Sequence, residues 1–89
     1  MQHISVKAFG HISVLLGAGL VVLPCDGPLQ VAAILAELRA RYPLFSNYLE
    51  QQREIKDSLM IGSGGLEMRL DSVVEPGEEL VLVTPISGG

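Results

Sequence analysis

Apolar and polar positions alternate from His3 to Phe9. Ile4, Val6 and Ala8 fall on one side, and Ser5, Lys7 and Phe9 on the other. A period of two predicts a strand with a single core face. Its second face sets an aromatic ring beside a lysine, so Phe9 is a candidate either for partner-facing surface or for the edge of the core. Gly10 to Gly19 contains three glycines and reads as the turn region of a hairpin. The β-branched run Leu20-Val21-Val22-Leu23 is the second strand.

The period then changes. Val31, Ile34, Leu35 and Leu38 recur at helical spacing and define one buried stripe. Asp26 or Gly27 is placed to cap this helix, and Pro28 suits its first turn, where a missing N–H is harmless. Arg39 and Arg41 sit near the end, where cations favour the dipole. Pro43 stops the helix at or before Tyr42. The stripe is expected to pack on the sheet face made by Ile4 and Val6. Leu44, Phe45, Tyr48 and Leu49 predict a second, shorter helix, followed by a polar loop to Lys56.

Three strands complete the pattern. Ser58 to Ile61 is the third, Gly62 to Gly65 a turn, and Leu66 to Leu70 the fourth, with Leu66, Met68 and Leu70 on one face. Glu75-Pro76-Gly77-Glu78 is a turn of the Pro-then-Gly kind that favours type II. Leu80 to Val83 is the last strand, and it is apolar on both faces. One-sided sheets alternate, whereas central or covered strands do not. A single helix covers one face only, so Val83, like Phe9, is expected to face a partner.

Beyond Val83 the character changes again. Residues 1–83 read as the folded domain and 84–89 as a tail, Thr84-Pro85-Ile86-Ser87-Gly88-Gly89. Fully extended, six residues reach roughly 20 Å. Two glycines without Cβ atoms could enter a channel too narrow for side chains. The functional group at the tip is the α-carboxylate of Gly89.

Composition narrows the classes of function. The 89 residues are enough for one domain. The net charge of −4, with Lys7 and Lys56 the only lysines, argues against nucleic acid, which requires a basic face. The single cysteine, Cys25, cannot form an internal disulfide, so a reducing, cytoplasmic setting is expected. Asp26 beside it works against a reactive thiolate. His3 and His11 lack neighbours at ligand spacing, so no metal site is expected. The glycines at 62–65 lack the lysine and helix of a phosphate loop. The apolar stretch from Ile12 to Leu23 is too short to span a membrane, lacks a secretory cleavage pattern, and reads as two strands and a turn.

The element order, two strands, a helix, a short helix, three strands and a Gly-Gly end, resembles the β-grasp fold of ubiquitin-like proteins. Within it the chain is similar to the sulfur carriers, specifically the MoaD-type small subunit of molybdopterin synthase. The resemblance spans essentially the whole chain. It rests on Val6-Lys7-Ala8-Phe9, on Leu16-Gly17, on the helix after Pro28, and most on Glu75 to Gly89, an acidic Gly-containing turn, an apolar strand and a Pro-Ile-Ser-Gly-Gly end. The chain departs from the family pattern at Ser13, where an arginine is frequent, at Gly62-Ser63, and at Thr84, which replaces the first proline of the tail.

The resemblance implies an α+β, mixed sheet of about four to five strands packed on one main helix. It implies a carrier without an active site of its own. A ubiquitin-activating-like adenylyltransferase (MoeB-like) would adenylate Gly89 with ATP. A sulfurtransferase would then supply sulfur, leaving a thiocarboxylate. The tail, Pro85, Ile86, Ser87 and Gly88, would enter the large synthase subunit (MoaE-like), with Phe9 and Val83 in the contact, and sulfur would pass to a pterin precursor. No cofactor bound to the chain itself is implied. Three alternatives stay open: a thiamine-type carrier (ThiS-like), a ubiquitin-like modifier of protein lysines, and a β-grasp binding module without tail chemistry. An iron–sulfur module is excluded, since clusters need several cysteines.

Overall fold

The amino-terminal alternation becomes strand β1 (Gln2–Ala8), with Ile4, Val6 and Ala8 buried. This is seen in a computed structural model describing residues 2–52 and 59–84. The segment from Gly10 to Gly19 is more than the turn expected of it. It holds a short helix, α1 (His11–Leu16). Ile12 and Leu16, four residues apart, share its inner face and are both buried. Gly17 closes it in the left-handed conformation at φ 68°, its N–H bonded to the carbonyls of Ser13 and Val14. The apolar stretch from Ile12 to Leu23 is therefore half helix and half strand, because glycines bracketing an i, i+4 pair cap a helix as readily as they turn a hairpin.

Strand β2 (Leu20–Cys25) returns antiparallel to β1, with Val21, Leu23 and Cys25 buried. A two-residue strand, β3 (Leu29–Gln30), comes next, and only then the main helix, α2 (Val31–Arg41). The helix thus starts three residues beyond Pro28. Its cap is not Asp26 or Gly27. Its first free N–H groups, on Val31 and Ala32, donate to the carbonyls of Ser72 and Leu70, each at 2.9 Å. A distant loop satisfies donors that a capping side chain would otherwise take. The expected stripe holds: Val31, Ile34, Leu35 and Leu38 are all buried. The end also holds, with Tyr42 extended and Pro43 opening α3 (Pro43–Glu50). Phe45 and Leu49 are the buried residues of α3, whereas Leu44, assigned to the same stripe, is exposed.

Strand β4 is Met60–Ser63 and β5 is Leu66–Glu67. The strand expected over Leu66 to Leu70 ends after two residues. Met68 still bonds to Ile61 at 2.8 Å, but Leu70 has swung across to α2. A further strand, β6 (Val73–Val74), pairs with β3, and β7 (Glu79–Val83) closes the chain's order of elements. Between them Gly77 takes φ 88°, and the N–H of Glu78 reaches the carbonyl of Glu75 at 3.0 Å. That is the type II geometry expected of Pro76-Gly77. The third strand was expected from Ser58, which lies outside the described residues.

The main sheet runs β2-β1-β7-β4-β5, mixed, with β1 and β7 parallel at its centre; β3 and β6 form a separate ribbon. One continuous apolar cluster joins Ile4 and Val6, the α2 stripe, Phe45, Leu80 and Leu82. This is the β-grasp arrangement. Leu35→Ala should cost about 2–5 kcal/mol in denaturant melts. A loss below about 0.5 kcal/mol, the usual range of a surface change, would contradict the helix register.

Candidate functional site

Strand parity divides the main sheet into two faces. Ile4, Val6, Leu80, Leu82, Leu23 and Ile61 point to the helices and are buried. The opposite face is built by the residues between them. Register places them in rows. Lys7 of β1 lies between Leu20 of β2 and Val81 of β7, and Gly62 of β4 follows Val81. In the next row Val83 lies opposite Met60, with Phe9 beside it, its N–H bonded to the Leu82 carbonyl at 3.1 Å. On the other side Ser5 sits between Val22 and Glu79. Among the described residues no helix covers this face. Phe9 is 45% exposed, Leu20 54% and Met60 57%. Contiguous apolar surface is the kind of surface that interaction sites use, so this face is the candidate site.

The two partner-facing candidates in the domain, Phe9 and Val83, are thus brought together in one row on adjacent strands. The Lys7 Nζ lies over the Phe9 ring, 5.4 Å from its centroid, a cation–π distance. Val83 is half-buried on the same face. Leu20, Val22 and Met60 join them, and sequence reasoning missed all three. The signal was there for two: Leu20 to Leu23 is apolar on both faces, as β7 is. Beyond Met60 the face opens into an apolar groove of about 670 Å³ between β4 and the 66–70 segment, lined by Met60, Leu66, Met68, Leu70, Val81 and Val83. It lies where β5 ends, after two residues.

The strand that carries Val83 ends at this row. Thr84 is the last described residue; its Oγ1 lies 3.6 Å from where a Cβ on Gly10 would stand, so β7 leaves the sheet against the start of α1. Pro85, Ile86, Ser87, Gly88 and Gly89 lie outside the described residues.

Other candidates are dispersed. Cys25 is buried at the end of β2. His11 stands edge-on to Tyr48, with ring centroids 5.4 Å apart, and His3 is an exposed residue of β1. Among the described residues no three His, Cys, Asp or Glu side chains are placed to hold a metal ion, and no helix is long and apolar enough to cross a membrane.

The sequence matches no protein-family model. It also matches no curated protein. Solved structures are similar across nearly the whole chain. Small archaeal modifier protein 1 from H. volcanii aligns with a TM-score of 0.81 at 24% identity, covering 97% of this chain and 100% of that one. A putative molybdopterin converting factor, subunit 1, from Pyrococcus furiosus gives 0.79 at 16% identity, covering 97% and 100%. Urm1 from Trypanosoma brucei gives 0.74 at 17% identity, covering 99% and 96%. The chain therefore has the ubiquitin-like β-grasp fold found in these small modifier and converting-factor proteins.

The exposure of Phe9 makes a direct test available. Phe9→Asp should leave unfolding cooperative, since the ring is not in the core, and should weaken binding of whatever protein covers this face. Loss of the cooperative transition would place Phe9 in the core instead.

Proposed function

We propose that this chain is a sulfur carrier, the small subunit of a molybdopterin synthase, and that Gly89 is its reacting residue. The reading requires Gly89 to be the terminal residue of the active form. One observation supports it: β7, at the centre of the sheet, ends at Val83 beside an apolar face that no described helix covers, and in the sequence it is followed by Thr84 to Gly89. A tail that must be presented to an enzyme needs such a face as its handle.

The chemistry follows from the carboxylate. As an acyl donor it is poor, because it would have to expel oxide. Its oxygen would attack the α-phosphorus of ATP, releasing pyrophosphate and giving an acyl adenylate. The outer sulfur of a persulfide on a sulfurtransferase would then displace AMP to give an acyl disulfide, and a thiol reductant would cleave its S–S bond, leaving a thiocarboxylate on Gly89 and returning the sulfurtransferase thiol. The tail would carry this nucleophilic sulfur into the large subunit, where it would attack a pterin precursor; water would then cleave the acyl–sulfur bond, leaving sulfur on the pterin and the carboxylate on Gly89, and a second loaded chain would supply the second sulfur of the dithiolene. The domain supplies recognition and reach; the acid, base and metal chemistry belong to the partners.

The similarity to a small archaeal modifier protein supports a second reading, in which the adenylated glycine is passed to lysines of other proteins. The first step is common to both. The separating experiment incubates the chain with the host's adenylating enzyme, ATP and a sulfur donor, then adds the large subunit and pterin precursor. Sulfurated pterin supports the carrier reading. Isopeptide-linked conjugates in a host lysate, with no transfer to the pterin, support the modifier.

A further inference from the structure

Strand β2 lies at one edge of the main sheet, and its outer side pairs with no described strand. The ladder to β1 shows which backbone groups that side exposes. Ala8 donates its N–H to the Gly19 carbonyl at 2.9 Å, and register sets Val6 opposite Val21 and Ile4 opposite Leu23. Opposed residues of an antiparallel pair alternate between bonded and non-bonded. Gly19, Val21 and Leu23 therefore bond to β1, while Leu20, Val22 and Pro24 turn their backbone groups outward. The far side of β1 agrees, since Ser5 and Phe9 donate away from β2, to the carbonyls of Glu78 and Leu82.

Sheet edges are commonly blunted by shortness, charge, proline or a bulge. At the opposite edge β5 is two residues long. β2 has six residues, none of them charged, and its register with β1 runs unbroken from Gln2–Cys25 to Lys7–Leu20. Its one interruption is Pro24, which lacks an outward donor. The side chains of Leu20 and Val22 stand 54% and 49% exposed beside this open edge.

We infer that β2 is the contact through which two copies of this chain pair edge to edge, antiparallel about a two-fold axis at Val21. Pro24 selects this register. An axis at Val22 would set Leu20 against Pro24 of the second copy, where a ring replaces a donor. With the axis at Val21, Leu20 faces Val22 of the second copy, the N–H of each donates to the carbonyl of the other, and symmetry repeats the pair. Every outward donor and acceptor of Leu20 and Val22 is then satisfied. Pro24 falls beyond the paired segment, alongside Ala18 of the second copy, whose N–H is already bonded to the Ser13 carbonyl at 3.0 Å. That position has no ladder bond to lose. On the exposed face Leu20 and Val22 become apolar cross-strand neighbours, the kind of pair that stabilises a sheet. Lys7 stands behind Leu20 and Ser5 behind Val22, so no like charges meet across the contact. The edge is thus complementary to itself in hydrogen bonds and in side chains, which is what a second copy offers. The contact is small beside the about 800 Å² per partner of a standard stable complex, so the association is weak and reversible. β7 and β4, which carry Val83 and Met60, lie further into the sheet, and the inference does not rest on the carrier reading.

The test is amide hydrogen exchange by NMR on the full chain over a concentration series up to about 1 mM, beside sedimentation equilibrium. In the monomer the Leu20 and Val22 amides exchange freely although they lie in a strand, whereas those of Val21 and Leu23 are protected by β1. As concentration rises, the average mass should climb toward a dimer and the Leu20 and Val22 amides should become protected with it. Val22→Pro removes a donor used between copies and none used to β1, so it should raise the dissociation constant on the order of tenfold or more. Val22→Lys, which sets a charge on the edge, should act in the same direction with the backbone unaltered, and it decides the matter where the proline variant does not fold. Val14→Lys, at an exposed position of α1, should dimerise like the wild type. A chain that stays monomeric to about 1 mM overturns the inference. So does a dimer whose Leu20 and Val22 amides remain unprotected, or one that Val22→Lys leaves intact, since either places the contact elsewhere. Protection of the two amides only when another protein is added would assign the edge to that protein and overturn the pairing of copies.

Discussion

Deletion of Gly89 is expected to abolish adenylation and sulfur transfer while leaving the thermal transition where it was. The strand β7 ends at Val83, so the deletion leaves every described element intact. It withdraws the carboxylate by roughly 3.5 Å, several times the displacement of about 1 Å that can already cost on the order of 100-fold. Adding one residue after Gly89 should be equally damaging, because the carboxylate then overshoots and the channel is blocked. Gly88→Val should also be severe, since a β-branched side chain adds bulk and restricts the backbone. The readouts are pyrophosphate release with ATP and the adenylating enzyme, and a melting curve beside it. A deletion variant that is adenylated and supports pterin sulfuration at near wild-type rate would leave only the binding-module reading.

The largest expected effect on stability is at Phe45. Its ring is fully buried in α3, the helix that leans on both α1 and α2. Truncation to alanine should cost about 3–5 kcal/mol, because the cavity can close only in part. In a domain of this size that is a large share of the total stability, and at about 4 °C or more per kcal/mol it lowers the Tm by at least about 12 °C. Leu44, one residue earlier, is 61% exposed, and Leu44→Ala should stay within about 0.5 kcal/mol. Similar effects at the two positions would mean that α3 presents a different face to the core.

The contrast between these neighbours shows what the sequence made legible. Helical spacing identified α2 and its stripe, and alternation identified β1, because each period counts many residues that agree. Leu44 and Phe45 belong to a helix too short for its period to separate inside from outside. The helix α1 was hidden because Gly10 and Gly17 act as helix ends while looking like turn residues. The late start of α2 could not be read locally, since its capping carbonyls come from Leu70 and Ser72, some forty positions away. The ribbon of β3 and β6 has two residues per strand, too few to show alternation. At the candidate site, the two-sided apolar pattern of β7 pointed to Val83. The same reading of Leu20 to Leu23 would have added Leu20 and Val22. Met60 and the groove come together only where β4 meets the 66–70 segment, which is a property of the folded chain.

The central claim is that Gly89 bears sulfur, and mass spectrometry of the intact protein isolated from its native host tests it most directly. The account predicts a fraction of molecules heavier by the difference between one sulfur and one oxygen, located by fragmentation to Gly89 and lost on treatment that hydrolyses thiocarboxylates. Protein found wholly as the unmodified carboxylate, under conditions where the adenylating enzyme and sulfur donor are active, would contradict it.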